Sequence, residues 1–148
     1  MIETDAVTWT APDGDHPARR ASQRSAATVA RGSKEDWLAL FAPDAVVEDP
    51  VGPSVFDPDG KGHRGHDGIG RFWDQAIAGV QAFHFTITDS FANGDSCANV
   101  GTISTTLEDG TRIDTEGVFV YRTDEAGLIT SIRAHWDFDR AMATATKV

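Results

Sequence analysis

Asp49 is the residue of this 148-residue chain best placed to do chemistry. It closes the run Val46-Val47-Glu48-Asp49-Pro50, where strand alternation puts Ala45, Val47 and Asp49 on one face and Val46 and Glu48 on the other. A carboxylate that shares a face with valine points toward apolar ground, and partial desolvation there lifts its pKa toward the range useful to a general base. The plain structural alternative is turn chemistry, an Asp before Pro whose carboxylate bonds nearby backbone N–H groups. Glu48 faces the other way, as a solvated residue.

The remaining polar candidates read mostly as structure. His84 lies between Phe83 and Phe85 and faces opposite to both, which suits a satisfied structural histidine better than a catalytic one. His63 and His66 flank Arg64-Gly65 with Asp57, Asp59 and Asp67 nearby. That spacing is not the helical i, i+4 pair of a metal site and no thiolates accompany it, so the reading is a solvated loop and no metal. Gly60-Lys61-Gly62 lacks the spacing and the Ser or Thr of a phosphate loop. Ser25 has no His and Asp partners from which a nucleophilic triad could be argued. Near the C-terminus Ile132, Ala134 and Trp136 share one face, and Arg133, His135 and Asp137 the other. An indole N–H at Trp136 could donate to a ligand oxygen, or Trp136 could simply be an aromatic wall.

These residues need elements to hold them. Residues 1–20 contain Pro12, Gly14 and Pro17, with Val7 and Trp9 as isolated apolar residues of no helical or strand period. They read as a flexible N-terminal tail, with docking of Trp9 onto a neighbouring subunit as the alternative. Residues 21–31 form a helix ended by Gly32, and Ser33 caps a second that carries Trp37, Leu38, Leu40 and Phe41 until Pro43 stops it. A short strand over 45–50 and a Gly- and Pro-rich loop over 51–65 follow. Ile69, Phe72, Trp73, Ala76, Ile77 and Val80 then make one apolar stripe along a helix over 67–80, which must cover a sheet. Four long strands come next, over 83–91, 98–107, 112–122 and 128–138, with Asp109-Gly110 as a hairpin turn. Helices followed by strands predict an α+β fold, a curved and mainly antiparallel sheet with three N-terminal helices over its concave face. The domain covers residues 21–140, with 141–148 as a C-terminal tail.

Composition narrows the classes. With 13 basic against 23 acidic residues the net charge is −10, a field that opposes phosphate backbones and anionic lipid, so neither nucleic acid nor membrane is an expected partner. Hydrophobic residues make up 40% and charged residues 24%, a globular balance. Cys97 is the single cysteine, so no intrachain disulfide or cysteine-based zinc cluster can form. No apolar run reaches membrane-spanning length and residues 1–5 lack a signal-peptide pattern. A cytoplasmic location is the expectation.

The stretch Phe41-Ala-Pro-Asp-Ala-Val-Val-Glu-Asp-Pro-Val-Gly52, the helix Ile69-Gly-Arg-Phe-Trp73 and the strand Leu128-Ile-Thr-Ser-Ile-Arg-Ala134 together resemble bacterial Δ5-3-ketosteroid isomerase. That family lies within the SnoaL-like, nuclear transport factor 2-like superfamily, and the resemblance runs over residues 22–139. It implies a cone-shaped α+β fold, a homodimer, and an aspartate that moves a proton between carbons of a hydrophobic ketone without a cofactor. Asp49 falls on that aspartate. In such isomerases a tyrosine and a neutral aspartate stabilise the dienolate oxygen. Here the oxyanion tyrosine falls on Ser25, the two supporting tyrosines on Phe41 and Trp73, and the neutral aspartate on Gly117, with Glu116 beside it on the opposite face. The only tyrosine, Tyr121, belongs to a late strand.

The resemblance places Ile132 and Trp136 in the pocket, and Val47, Phe72, Phe85, Ser25 and Gly117 complete its expected lining. Arg133 and His135 face outward, toward a dimer contact. The function implied is a steroid Δ-isomerase-like proton transfer with Asp49 as base and a small steroid-like ketone as ligand. Two alternatives remain open: a steroid-binding protein without efficient turnover, and a polyketide-cyclase-like or epoxide-hydrolase-like relative that uses Asp49 on another substrate.

Overall fold

The computed structural model describes residues 2–147; Met1 and Val148, the end residues of the two expected tails, lie outside the described residues. In chain order the elements are β1 (Ile2–Glu3), β2 (Val7–Trp9), α1 (Pro17–Arg31), α2 (Lys34–Leu38), β3 (Phe41–Glu48), β4 (His63–Arg64) and α3 (Gly65–Phe72). A π-helical turn (Trp73–Ile77) then leads into β5 (Val80–Asn93), β6 (Ser96–Leu107), β7 (Thr111–Thr123), β8 (Ile129–His135), α4 (Phe138–Met142) and β9 (Thr146–Lys147). The sheet runs β1-β2-β5-β6-β7-β8-β3-β4, with β9 on the free side of β7. It is a curved, non-closed and mostly antiparallel sheet, parallel only where β2 meets β5 and β3 meets β8. Among the described residues no helix is long and apolar enough to cross a membrane.

The N-terminal segment corrects the expectation of a loose tail. Val7, Thr8 and Trp9 pair in parallel with Phe85, Thr86 and Ile87. Trp9 is only 2% exposed, buried against Ala11 and Ile87 of its own chain. His84 fastens the strap, since its ring nitrogens meet Thr8 Oγ1 at 2.9 Å and the Asp5 carbonyl at 3.2 Å. Three residues are too few to show alternation. The edge of β5 supplies the order, and the strap in turn covers that edge. The C-terminal end is likewise tied down: Thr144 Oγ1 accepts from Asp114 N–H at 2.8 Å, and β9 pairs with Thr111 and Arg112.

Local chemistry explains most of the other boundaries. Helix α1 begins four residues before the expected start because Pro17 presets the first turn and His16 Nδ1 accepts from Ala18 N–H at 3.1 Å. Gly32 ends it at φ 74°, with its N–H on the Thr28 and Val29 carbonyls, and Ser33 caps α2 through Asp36 N–H. Pro43 does stop helical structure, yet Phe41 already begins β3. The β3–β8 ladder is interrupted between Phe41 and Val46, where a proline costs no ladder bond. The third helix also departs from a simple 67–80 span, closing in the π-helical turn with Ala78 N–H on the Trp73 carbonyl. Val80 starts β5 instead of extending the stripe.

Inside, Ile69, Phe72, Trp73 and Ile77 meet Trp37, Phe41, Val47, Phe85, Ile129 and Ile132 in one core. Trp37 anchors it, edge-on to Phe41 at 4.8 Å and tilted against Trp73 at 5.4 Å.

Candidate active site

Between the helices and the sheet lies a cavity of about 460 Å³, a size that suits a drug-sized ligand. Register builds its inner end. Val47 of β3 pairs with Ile132 of β8, Ile132 with Tyr121 of β7, and Tyr121 with Cys97 of β6. Val47, Ile132 and Tyr121 line the cavity, and Asp49, two residues beyond Val47, opens on the same side. Phe72, Phe85, Ser25 and Trp136 also line it, so six of the seven expected lining residues surround Asp49. Phe83, Ile103 and Ile113 continue the apolar wall, and Phe138 and Met142 of α4 complete it.

Gly117, the seventh, is not among the lining residues. A Cβ there would run into the His135 carbonyl and come within 3.0 Å of Trp136 Cβ. The close approach of β8 excludes any side chain at that position. Glu116 instead meets Arg140, outside the cavity.

Asp49 has a single polar partner: Trp136 Nε1–H donates to its Oδ1 at 2.6 Å. Asp49 keeps accessible surface because it lines the cavity, yet the surrounding protein strips enough water to push its carboxyl pKa above the usual range. The Trp136 hydrogen bond partly offsets that rise. The indole's N–H is therefore engaged by the carboxylate.

Sequence reasoning set Tyr121 aside as a late-strand residue, and the structure brings it into the cavity beside Ser25. Burial, and then the Asp49 charge, push the phenol's pKa well up, with Ser25 acting in the opposite sense. The phenol therefore stays protonated, a donor at any physiological pH. Alternation along β7 could have shown that Tyr121 shares a face with Phe119. Only the register of three strands could show which end of the cavity it occupies.

The other histidines take structural roles. His63 is half-buried in β4 with its ring 4.8 Å from Phe72, not in a solvated loop, and burial lowers its pKa. His66 Nε2 meets the Phe41 carbonyl at 3.0 Å. Among the described residues no group of three or more His, Cys, Asp or Glu side chains could hold a metal ion. Arg133 Nε–H donates to Glu48 at 3.0 Å on the outward face.

The SnoaL-like domain family matches residues 22–132. The chain belongs to that family, within the nuclear transport factor 2-like superfamily. Among solved structures, this SnoaL-like chain is similar to RV0760c from Mycobacterium tuberculosis, at 38% identity, TM-score 0.80, over 86% of this chain and 96% of that one. RV0760c is also solved in complex with estradiol-17beta-hemisuccinate. A Δ5-3-ketosteroid isomerase from Mycobacterium sp. is 38% identical, TM-score 0.78, over 89% of this chain and 98% of that one. A computationally designed 17-OHP binder is 36% identical, TM-score 0.79, over 84% and 96% of the two chains. Among curated proteins no relative matches the chain.

Proposed function

We propose that the chain binds a steroid-sized hydrophobic ketone and moves a proton between two of its carbons, with Asp49 as the base. The observation that carries this reading is a carboxylate of raised pKa, held by one N–H donor, facing a mostly apolar cavity. Ionised Asp49 would take a proton from the carbon between the carbonyl and the double bond. The C–H electron pair then extends the conjugation and places charge on the oxygen. Protonated Asp49 returns the proton at the far end of the diene, which regenerates the base and needs no cofactor. The 38% identity to a Δ5-3-ketosteroid isomerase supports the substrate class.

The test is conversion of a 5-ene-3-ketosteroid to its conjugated 4-ene product, followed by ultraviolet absorbance. Asp49→Asn should lower its rate by about 10²- to 10⁴-fold. Absence of conversion by the wild-type chain, or conversion undiminished by the substitution, overturns the reading.

A second reading, ligand binding without turnover, is favoured by the same 2.6 Å bond, since a donor on Asp49 stabilises its ionised form and weakens it as a base. It predicts a shift in tryptophan fluorescence on adding steroid, unchanged by Asp49→Asn. The cyclase-like or epoxide-opening alternative draws less support, because no arginine is among the lining residues. We further propose a homodimer through the outer sheet face, where Phe91 is 62% and Val118 37% exposed. Sedimentation equilibrium at twice the 15.9 kDa chain mass would bear it out, and a monomer would refute it.

A further inference from the structure

We propose that Tyr121 donates the hydrogen bond that holds the ligand's ketone oxygen, and that Ser25 is the positioning residue that aims and polarises its phenol. The proposal rests on the ketone-binding reading above and adds the part of the site for which that reading names no residue, the donor to the oxygen.

The argument is one of available protons. Eight polar side chains line the cavity: Ser25, Trp37, Asp49, Gln75, Thr105, Thr115, Tyr121 and Trp136. Ionised Asp49 can only accept. Trp136 Nε1–H is committed to Asp49, and Trp37 Nε1–H to Ser25 Oγ at 3.0 Å. Gln75 is an exposed residue of the π-helical turn, and Thr105 Oγ1 donates to the Ile113 carbonyl at 3.4 Å. Thr115 lies six residues from Tyr121 along β7, about 20 Å away at the other end of the strand. Ser25 and Tyr121 are the remaining donors at the Asp49 end.

Ser25 supplies a second, independent observation. Helix α1 carries three buried hydroxyl residues, and two of them turn their protons back onto the helix: Ser22 onto the Arg19 carbonyl at 2.7 Å and Thr28 onto the Arg24 carbonyl at 2.6 Å. Ser25 makes no such bond and instead accepts from Trp37. Its own proton is therefore free to point into the cavity that Tyr121 also lines, and a bond from Ser25 favours the phenol's charged form. The sequence of donors runs from the Trp37 indole to the Ser25 hydroxyl, then to the Tyr121 phenol and the ligand oxygen. Each bond in such a chain polarises the next. Throughout the reaction Tyr121 keeps its proton, and the proton that moves is the one Asp49 takes from carbon and returns.

A matched ligand pair tests this: 17β-hydroxy-5α-androstan-3-one and 5α-androstan-17β-ol, which differ by the 3-oxo oxygen alone. Both are titrated by tryptophan fluorescence. Tyr121→Phe should weaken the ketone about tenfold, the worth of one hydrogen bond, and leave the deoxy compound within about twofold. Ser25→Ala should give a smaller loss, roughly threefold, again confined to the ketone. Equal changes for both ligands, or none, overturn the proposal. Should Tyr121→Phe fail to fold, the Ser25→Ala comparison decides alone.

The two readings fail separately. A wild-type chain that prefers the ketone through Tyr121 but does not isomerise a 5-ene-3-ketosteroid refutes proton transfer by Asp49 and leaves Tyr121 in place. A chain whose turnover survives Tyr121→Phe, instead of losing about 10²- to 10³-fold in kcat, refutes Tyr121 and leaves Asp49. Binding of neither steroid refutes both.

Discussion

Two buried polar groups lie under helix α1, one helical turn apart, and they are built on opposite plans. The first runs through Ser22. Arg19 donates to Ser90 Oγ at 3.0 Å and to the Gly14 carbonyl at 2.8 Å, Ser90 and Cys97 both donate to Asn99 Oδ1, Asn99 donates to Ser22, and Ser22 returns to the Arg19 carbonyl. Each of its side chains has a partner, and none of its five residues lines the cavity. The second runs through Ser25. There Asp49 has one donor, Ser25 has an uncommitted proton, and Tyr121 faces the void. A closed network fixes how α1 sits on the sheet, while an open one leaves polar capacity for a ligand to complete. Tyr121 and Cys97, direct partners across β7 and β6, mark the border between the two.

The contrast predicts that changes in the open cluster strike function and changes in the closed one strike stability. The largest expected effect is on turnover: Asp49→Asn should lower the rate of 5-ene-3-ketosteroid conversion by about 10²- to 10⁴-fold while the protein stays folded. Next, Asn99→Leu should destabilise by about 1–3 kcal/mol, read by urea denaturation, because Ser22, Ser90 and Cys97 lose their common partner. Turnover per folded molecule should stay unchanged, and a loss there would break the division between the clusters.

Trp136→Phe should change kcat by less than about tenfold. It should move the acid limb of the pH–rate profile upward, because the indole N–H favours the ionised form of Asp49, the form that acts as base. An unmoved or lowered limb would show that the hydrogen bond does not tune the carboxyl.

The smallest effect reverses the usual sign. Burial raises the Asp49 pKa in the folded state, so between its unfolded and folded values the native chain holds the extra proton, and stability falls as pH rises through that window. Asp49→Asn keeps an acceptor for Trp136 and removes the buried charge. Its Tm at pH 7 should exceed that of the wild type by a few °C, with the gap closing as pH falls toward the ordinary carboxylate pKa of 3.8. A lower Tm for the variant would place Asp49 in the structural class.

How far each part was legible follows from how local its cause is. The alternation of Ala45, Val47 and Asp49, the Ser33 cap, the Gly32 stop and the apolar stripe from Ile69 to Ile77 depend on residues within a few positions of one another, and all are visible in the string. The strap Val7–Trp9 is not, since its order comes from the β5 edge nearly 80 residues away. Gly117 shows the converse: alignment by counting put a site there, and the approach of the His135 carbonyl leaves it no room for a side chain.

By itself the sequence determined which faces are apolar, where helices begin and end, and that Asp49 shares a side with Val47, because periodicity and capping are short-range. The tertiary structure decided that Tyr121 stands beside Ser25 at the Asp49 end of the cavity. That placement depends on the register of β3, β8 and β7, and a slip of one residue by β7 against its neighbours would turn the phenol to the outer face.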